Sequence, residues 1–161
     1  VLRCDGRFAV MKEMIIQVIM ATVGALGFSI LFRVNERNVP AAAIGGGIGW
    51  IVYLAMFNWS DNLFFSYLVA SIAVCLWAEI IARILKAPSN IYLVPGIIPL
   101  IPGGSLFYTT KAIVEGDWQA FFDFGLNTVW ITFGMAAGMA VSALIVHLFV
   151  DEKKQNKKPQ N

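Results

Sequence analysis

An all-α integral membrane protein of five transmembrane segments, the fourth broken by proline and glycine, is the fold class this sequence predicts. Three observations carry it. Of 161 residues, 58% are hydrophobic and only 14% charged, where a soluble domain carries roughly a quarter charged. Apolar runs recur near 14–33, 39–57, 63–85, 91–110 and 120–150, and about 19 such residues suffice to cross a hydrocarbon core of ~30 Å. Within the fourth run, LVPGIIPLIPGGSLFY sets three prolines and three glycines among Leu, Val, Ile and Phe. No polar stretch is long enough to fold separately, so 11–150 reads as one membrane domain, followed by a basic tail over 151–161.

The first ten residues, VLRCDGRFAV, precede Met11 and Lys12, a sensible natural start. They read as a cloning remnant or an upstream read-through and stay outside the fold reasoning. The run from Met14 to Phe32 is too long for a signal-peptide core and shows no small-residue cleavage site, so it reads as a retained span. The pieces RVNERN, NWSDN, KAPSN and KAIVEGDWQ then separate successive spans, and loops this short force neighbours to run antiparallel.

Small residues recur every four positions: Ala21, Ala25 and Ser29 in the first span, Gly45 and Gly49 in the second, Gly134, Gly138 and Ser142 in the last. Lipid tails are as apolar as leucine, so association depends on close backbone approach, which such spacing permits. These faces are expected to pack against one another or a partner, and they also allow a homo-oligomer. Glu79 stands four residues before Arg83, on one helical face. A carboxylate at mid-depth costs about 2.5 to 3.5 kcal/mol on insertion scales. Pairing with Arg83 is the plain account of Glu79, and a proton-carrying role the sharper one. Asp123 and Asn127 form a second polar pair at this spacing, and Asp123 competes with Glu79 for the proton role. The last run, ~46 Å long as a helix, must tilt, break or protrude.

Positive charge orients the chain. Arg33 and Arg37 lie in the first loop, Arg83 and Lys86 in the third, and four lysines in the tail; Lys12 and Lys111 remain on the other side. Placing the larger group in the cytoplasm puts the C-terminus inside and the start outside, with five crossings rather than four.

Pro95, Pro99 and Pro102, with Gly96, Gly103 and Gly104, are expected to break the fourth span at mid-membrane, because proline lacks an amide hydrogen and clashes one turn back. Freed backbone groups there must meet protein or line a polar cavity. Discontinuous helices of transporters use this construction at substrate sites. Gly103, Gly104 and Ser105 would open a second half-helix whose amides could hold a carboxylate, with Tyr108, Thr109, Thr110 and Lys111 following. The plainer reading is a kinked structural helix with polar residues at an interface.

Other functions lack residues to carry them. Cys4 and Cys75 form no disulfide or metal pattern, and His147, the one histidine in the sequence, has no second metal-type residue at metal spacing, so no metal or other cofactor is expected. GGGIGW lacks the GK[ST] of a phosphate-binding loop. No nucleophile, base and orienting group recur at plausible spacing, so an enzyme is not expected, and the basic tail is weak evidence for nucleic acid.

The stretch ARILKAPSNIYLVPGIIPLIPGGSLFYTTKAIVEGD resembles the hallmark of the threonine/serine exporter family, specifically its small membrane subunit. The matching positions are Pro95, Gly96, Pro99, Pro102 and Gly103, followed by Tyr108, and the likeness extends over roughly 11–150. The resemblance implies a multi-pass protein of the bacterial inner membrane. It further implies export of small hydrophilic metabolites, threonine and serine or dicarboxylates such as succinate, driven by an ion gradient. The family's full unit has a second half, so the resemblance implies a larger membrane subunit as partner. The substrate path would run along Pro95, Gly96, Pro99, Pro102, Gly103, Gly104, Ser105, Tyr108, Thr109 and Asn127, with Glu79 or Asp123 coupling protons. The competing reading, from the small-residue faces, is a non-transporting scaffold that stabilises or targets a partner membrane protein.

Overall fold

A computed structural model describes residues 2–155, with side chains described over 11–148. Residues 156–161 of the expected tail lie outside the described residues, as do the side chains of the 1–10 leader. Every element is helical: α1 (Leu2–Leu31), α2 (Val39–Ser60), α3 (Leu63–Leu85), α4 (Asn90–Ile97), a 3-10 turn (Ile98–Leu100), α5 (Gly103–Glu115) and α6 (Trp118–Gln155). No strand occurs among the described residues. Four helices are each long and apolar enough to cross a membrane, and α4 with α5 adds a fifth span bent by 48°.

Local chemistry sets the boundaries. Asn62 caps α3 by accepting from the Phe65 amide at 3.3 Å, and Pro40 sits in the first turn of α2, where a missing amide hydrogen costs nothing. Arg33, Asp61 and Lys86 close α1, α2 and α3 at φ between 52° and 54°, the left-handed position glycine usually takes. At the end of α5 that residue is a glycine, Gly116 at φ 74°. The fourth loop is therefore shorter than its polar composition suggests. Helix continues through Glu115, with Lys111 Nζ 3.7 Å from its carboxylate, and α6 starts at Trp118, where Asp117 accepts from the Ala120 amide at 3.0 Å.

α2 is the central helix, and its GGGIG run makes that position habitable. A Cβ on Gly46 would lie 2.5 Å from Ala25 of α1, one on Gly47 2.5 Å from Thr22 of α1, and one on Gly49 2.5 Å from Val74 of α3. Gly45 faces Trp77 of α3 and the backbone of Gly96 in α4. Ala21, Ala25 and Ser29 are buried on the α1 side of this contact. Below it, Tyr67, Ala70, Val74, Leu100, Ile131 and Met135 form the main apolar cluster.

α6 packs along α3 in the same direction. Gly134 meets the Phe64 carbonyl, where a Cβ would lie at 2.6 Å, and Gly138 meets Leu68 and Ser71. Ser142 is buried further along. Parallel α3 and α6 require the chain between them to return to the opposite end, so the bent pair acts as one crossing. Since Gly134 sits opposite the start of α3, residues 118–130 run past it by ~20 Å at 1.5 Å per residue. There α6 packs on α5, Tyr108 stacking on Phe124 with centroids 5.2 Å apart, until Trp130 meets Phe64 of α3 edge-on. The long last helix therefore protrudes without breaking.

Candidate functional site

The interruption of the fourth span sits in two residues. Ile101 is extended (φ −60°, ψ 130°) and Pro102 follows at ψ 53°. Pro95 remains inside α4, and Pro99 is absorbed by tightening to the 3-10 turn, closed by the Ile101 amide donating to the Ile98 carbonyl at 3.0 Å. The break comes later than the proline pattern alone suggests. It lies just beyond Leu100, whose cluster partners Tyr67 and Ala70 occupy the first two turns of α3, so it falls toward one end of that helix instead of its centre.

The path residues from Pro95 to Ser105 separate into three places. Pro95 and Gly96 are buried inside the bundle; a Cβ on Gly96 would lie 3.1 Å from Val74 and 3.6 Å from the Gly45 backbone. Their role there is close packing of α4 on α2. Pro99 lines a lateral cleft of about 290 Å³ with Gln17, Met20, Phe28 and Trp50. Pro102, Gly103, Gly104 and Ser105 stand at the bend, where nothing lies within 4 Å of a Cβ on either glycine. α5 begins there without a capping side chain.

Along α5 the hydroxyls of Thr109 and Thr110 donate to the carbonyls of Ser105 and Leu106, each at 2.7 Å, so both are satisfied within their own helix. Thr109 also packs its methyl group over Gly125 of α6. Asn127 is half-buried two residues further along α6.

A family model described as Threonine/Serine exporter, ThrE, matches residues 17–145. The chain belongs to the threonine/serine exporter family. No solved structure matches it. The matched region of this exporter-family chain spans all six helices, and the family is one of membrane transporters, not enzymes in general.

The exporter's two acidic candidates lie far apart. Glu79, in the last two turns of α3, approaches Arg83 at 3.9 Å, the plain pairing the sequence offers. Asp123 is exposed on the far stretch of α6, beyond the other end of α3. No group of three potential metal ligands occurs among the described residues.

Two features escaped the residue patterns. Trp50 Nε1 donates to Gln17 Oε1 at 3.3 Å, joining α1 to α2 at the cleft that Pro99 lines. A glutamine inside an apolar first span was the available signal. Tyr92 is fully buried among Ala42, Ala78 and Ala82, and its hydroxyl has no hydrogen-bond partner among the described residues. Nothing in the spacing of Tyr92 announced that.

Proposed function

We propose that this chain is the small membrane subunit of a secondary transporter that exports small hydrophilic metabolites, threonine and serine or dicarboxylates such as succinate. The observation that carries the reading is the 48° bend at Pro102, where Gly104 and Ser105 open α5 with amides that no side chain caps, while the Gly103 amide turns back on the Ile101 carbonyl at 2.7 Å. Such amides carry partial positive charge suited to a substrate carboxylate. Gly103 and Gly104 leave space for a solute to approach the backbone. Tyr108, Thr109 and Asn127 continue the path along the α5–α6 pair. Pro95, Gly96 and Pro99 hold α4 in place behind the bend. Protons provide the driving force through Glu79 or Asp123.

A larger membrane subunit completes the unit. Support comes from Trp118, Phe122, Phe124 and Val129, which remain exposed where α6 runs past the bundle. The membrane is a bacterial inner membrane, with the C-terminus cytoplasmic and the N-terminus outside. The same exposed surface also favours the second reading, a non-transporting scaffold for a partner membrane protein.

The test is efflux of labelled threonine and succinate from vesicles holding this chain with and without the larger subunit, across imposed pH gradients. Transport is expected only with both subunits and only with a gradient. Pro102→Ala and Asp123→Asn should abolish export while sparing assembly. Failure of assembly with normal export per remaining complex favours the scaffold.

A further inference from the structure

A second cleft lies at the opposite end of the bundle from the bend. About 560 Å³ in volume, it opens between the turn after α1 and the start of α4. Its walls are of two kinds. Phe32, Ile91 and Val94 supply an apolar side, while Arg33, Asn35 and Asn90 supply polar groups. This division resembles neither of the other clefts along α1, which are almost wholly apolar in their side chains apart from Gln17 and Trp50.

The polar groups present donors. Arg33 is exposed and forms no ion pair among the described residues, and a guanidinium offers five hydrogens in a fork that matches a phosphate. Asn35 Oδ1 accepts from the Arg37 amide at 3.2 Å, which leaves its Nδ2 to donate. The Ile91, Tyr92 and Leu93 amides of α4 are turned back on the Pro88 and Ser89 carbonyls, so the side chains carry most of the recognition.

The surroundings reinforce the sign. Arg37 and Lys86 lie at this end, with Glu36 as the nearby acid in the same turn, while Arg83 is engaged by Glu79. Phe32 and Val94 are about half exposed, so the apolar wall is continuous with the lipid-facing surface. A free anion would use the donors and leave that wall idle. An acyl chain would cover it.

We propose that this cleft binds an anionic phospholipid, its phosphate held by Arg33, Asn35 and Asn90 and the start of an acyl chain laid against Phe32, Ile91 and Val94. The shared chemistry is a phosphate-type anion, and a lipid headgroup is the source that uses both walls. Basic pockets between helices at a membrane face hold such headgroups. The assignment needs only that the chain is membrane-embedded, so it stands or falls independently of what is exported.

The full chain, purified in a neutral detergent, would be titrated with labelled phosphatidylglycerol and with labelled phosphatidylcholine, each in the presence and absence of inorganic phosphate. Phosphatidylglycerol should bind more tightly, and excess phosphate should displace it poorly. Arg33→Gln should weaken binding about fivefold, the contribution of one basic group at an anionic surface, and Arg33→Lys should recover part of it. Arg37→Gln removes the same charge from the same turn outside the cleft and should change little. Val94→Trp fills the apolar wall with every charge intact and should also weaken binding, so the assignment remains testable if Arg33→Gln folds poorly. Equal losses for Arg33→Gln and Arg37→Gln would mean diffuse surface charge and overturn the site. Ready displacement by phosphate would overturn the lipid assignment in favour of a free anion, and equal affinity for the two lipids would overturn both.

Discussion

Gly46 of α2 and Gly104 of α5 occupy opposite environments. A Cβ on Gly46 would collide with Ala25 at 2.5 Å, whereas one on Gly104 would find nothing within 4 Å. In the bundle, glycine removes atoms so that α1, α3 and α4 can close on α2. At the bend, glycine leaves a helix start uncovered. One residue type thus serves packing in the first region and access in the second, and the surrounding helices decide which. The aromatic residues divide in the same way. Tyr67 and Tyr92 are buried in the bundle, while Phe107, Trp118, Phe122 and Trp130 are exposed around α5 and the start of α6.

The contrast can be broken most severely at Gly138, where α6 touches Leu68 and Ser71. Gly138→Leu should cost about 3 kcal/mol or more, the upper range of overpacking, and thermal unfolding in detergent should show the loss. An unchanged midpoint would mean that α3 and α6 do not pack through this face. Gly46→Val should cost about 1–3 kcal/mol by the same measurement, because the neighbours of the added side chain, Ala25, Pro99 and the Ala21 carbonyl, belong to packed elements.

Smaller effects sharpen the second region. Phe124→Ala removes the stack on Tyr108 and should loosen the α5–α6 pair by about 1 kcal/mol, read as faster proteolysis near Gly116 with little change in the unfolding of the bundle. Glu79→Gln should shift stability by under ~1 kcal/mol, since its pairing with Arg83 is long and partly solvated. A large loss of pH-driven export in the same variant would then report coupling and not folding. Gly104→Ala should be close to neutral in stability, within about 0.5 kcal/mol, since no neighbour obstructs the added methyl group and its φ is not left-handed. Marked destabilisation by Gly104→Ala would show that the bend is packed after all.

Much of the fold was legible because hydrophobic run length is a direct consequence of bilayer thickness. The spans beginning near 39 and 63 match α2 and α3 to within three residues at their ends, since polar loops mark where lipid stops. Boundaries failed where helical capping overrode polarity, as at Lys111 to Glu115, which stays helical up to Gly116. Within the candidate site, the proline cluster announced an interruption but not which proline made it. Pro99 could be absorbed in a 3-10 turn, and Pro102 could not, because Ile101 before it is extended.

By itself, the sequence determined that this chain lives in lipid, that its spans alternate in direction, and that one of them is interrupted. Those properties depend on the transfer of side chains and backbone groups between water and hydrocarbon, which is local to each segment. Only the tertiary structure decided that the GGGIG run sits at the centre of the bundle, that α6 runs parallel to α3, and that the bend falls near one end of it. It also decided that Arg33 and Asn90, 57 residues apart in the chain, share one cleft. Such relations arise from which surfaces fit at close range, and no single segment contains both sides of a contact.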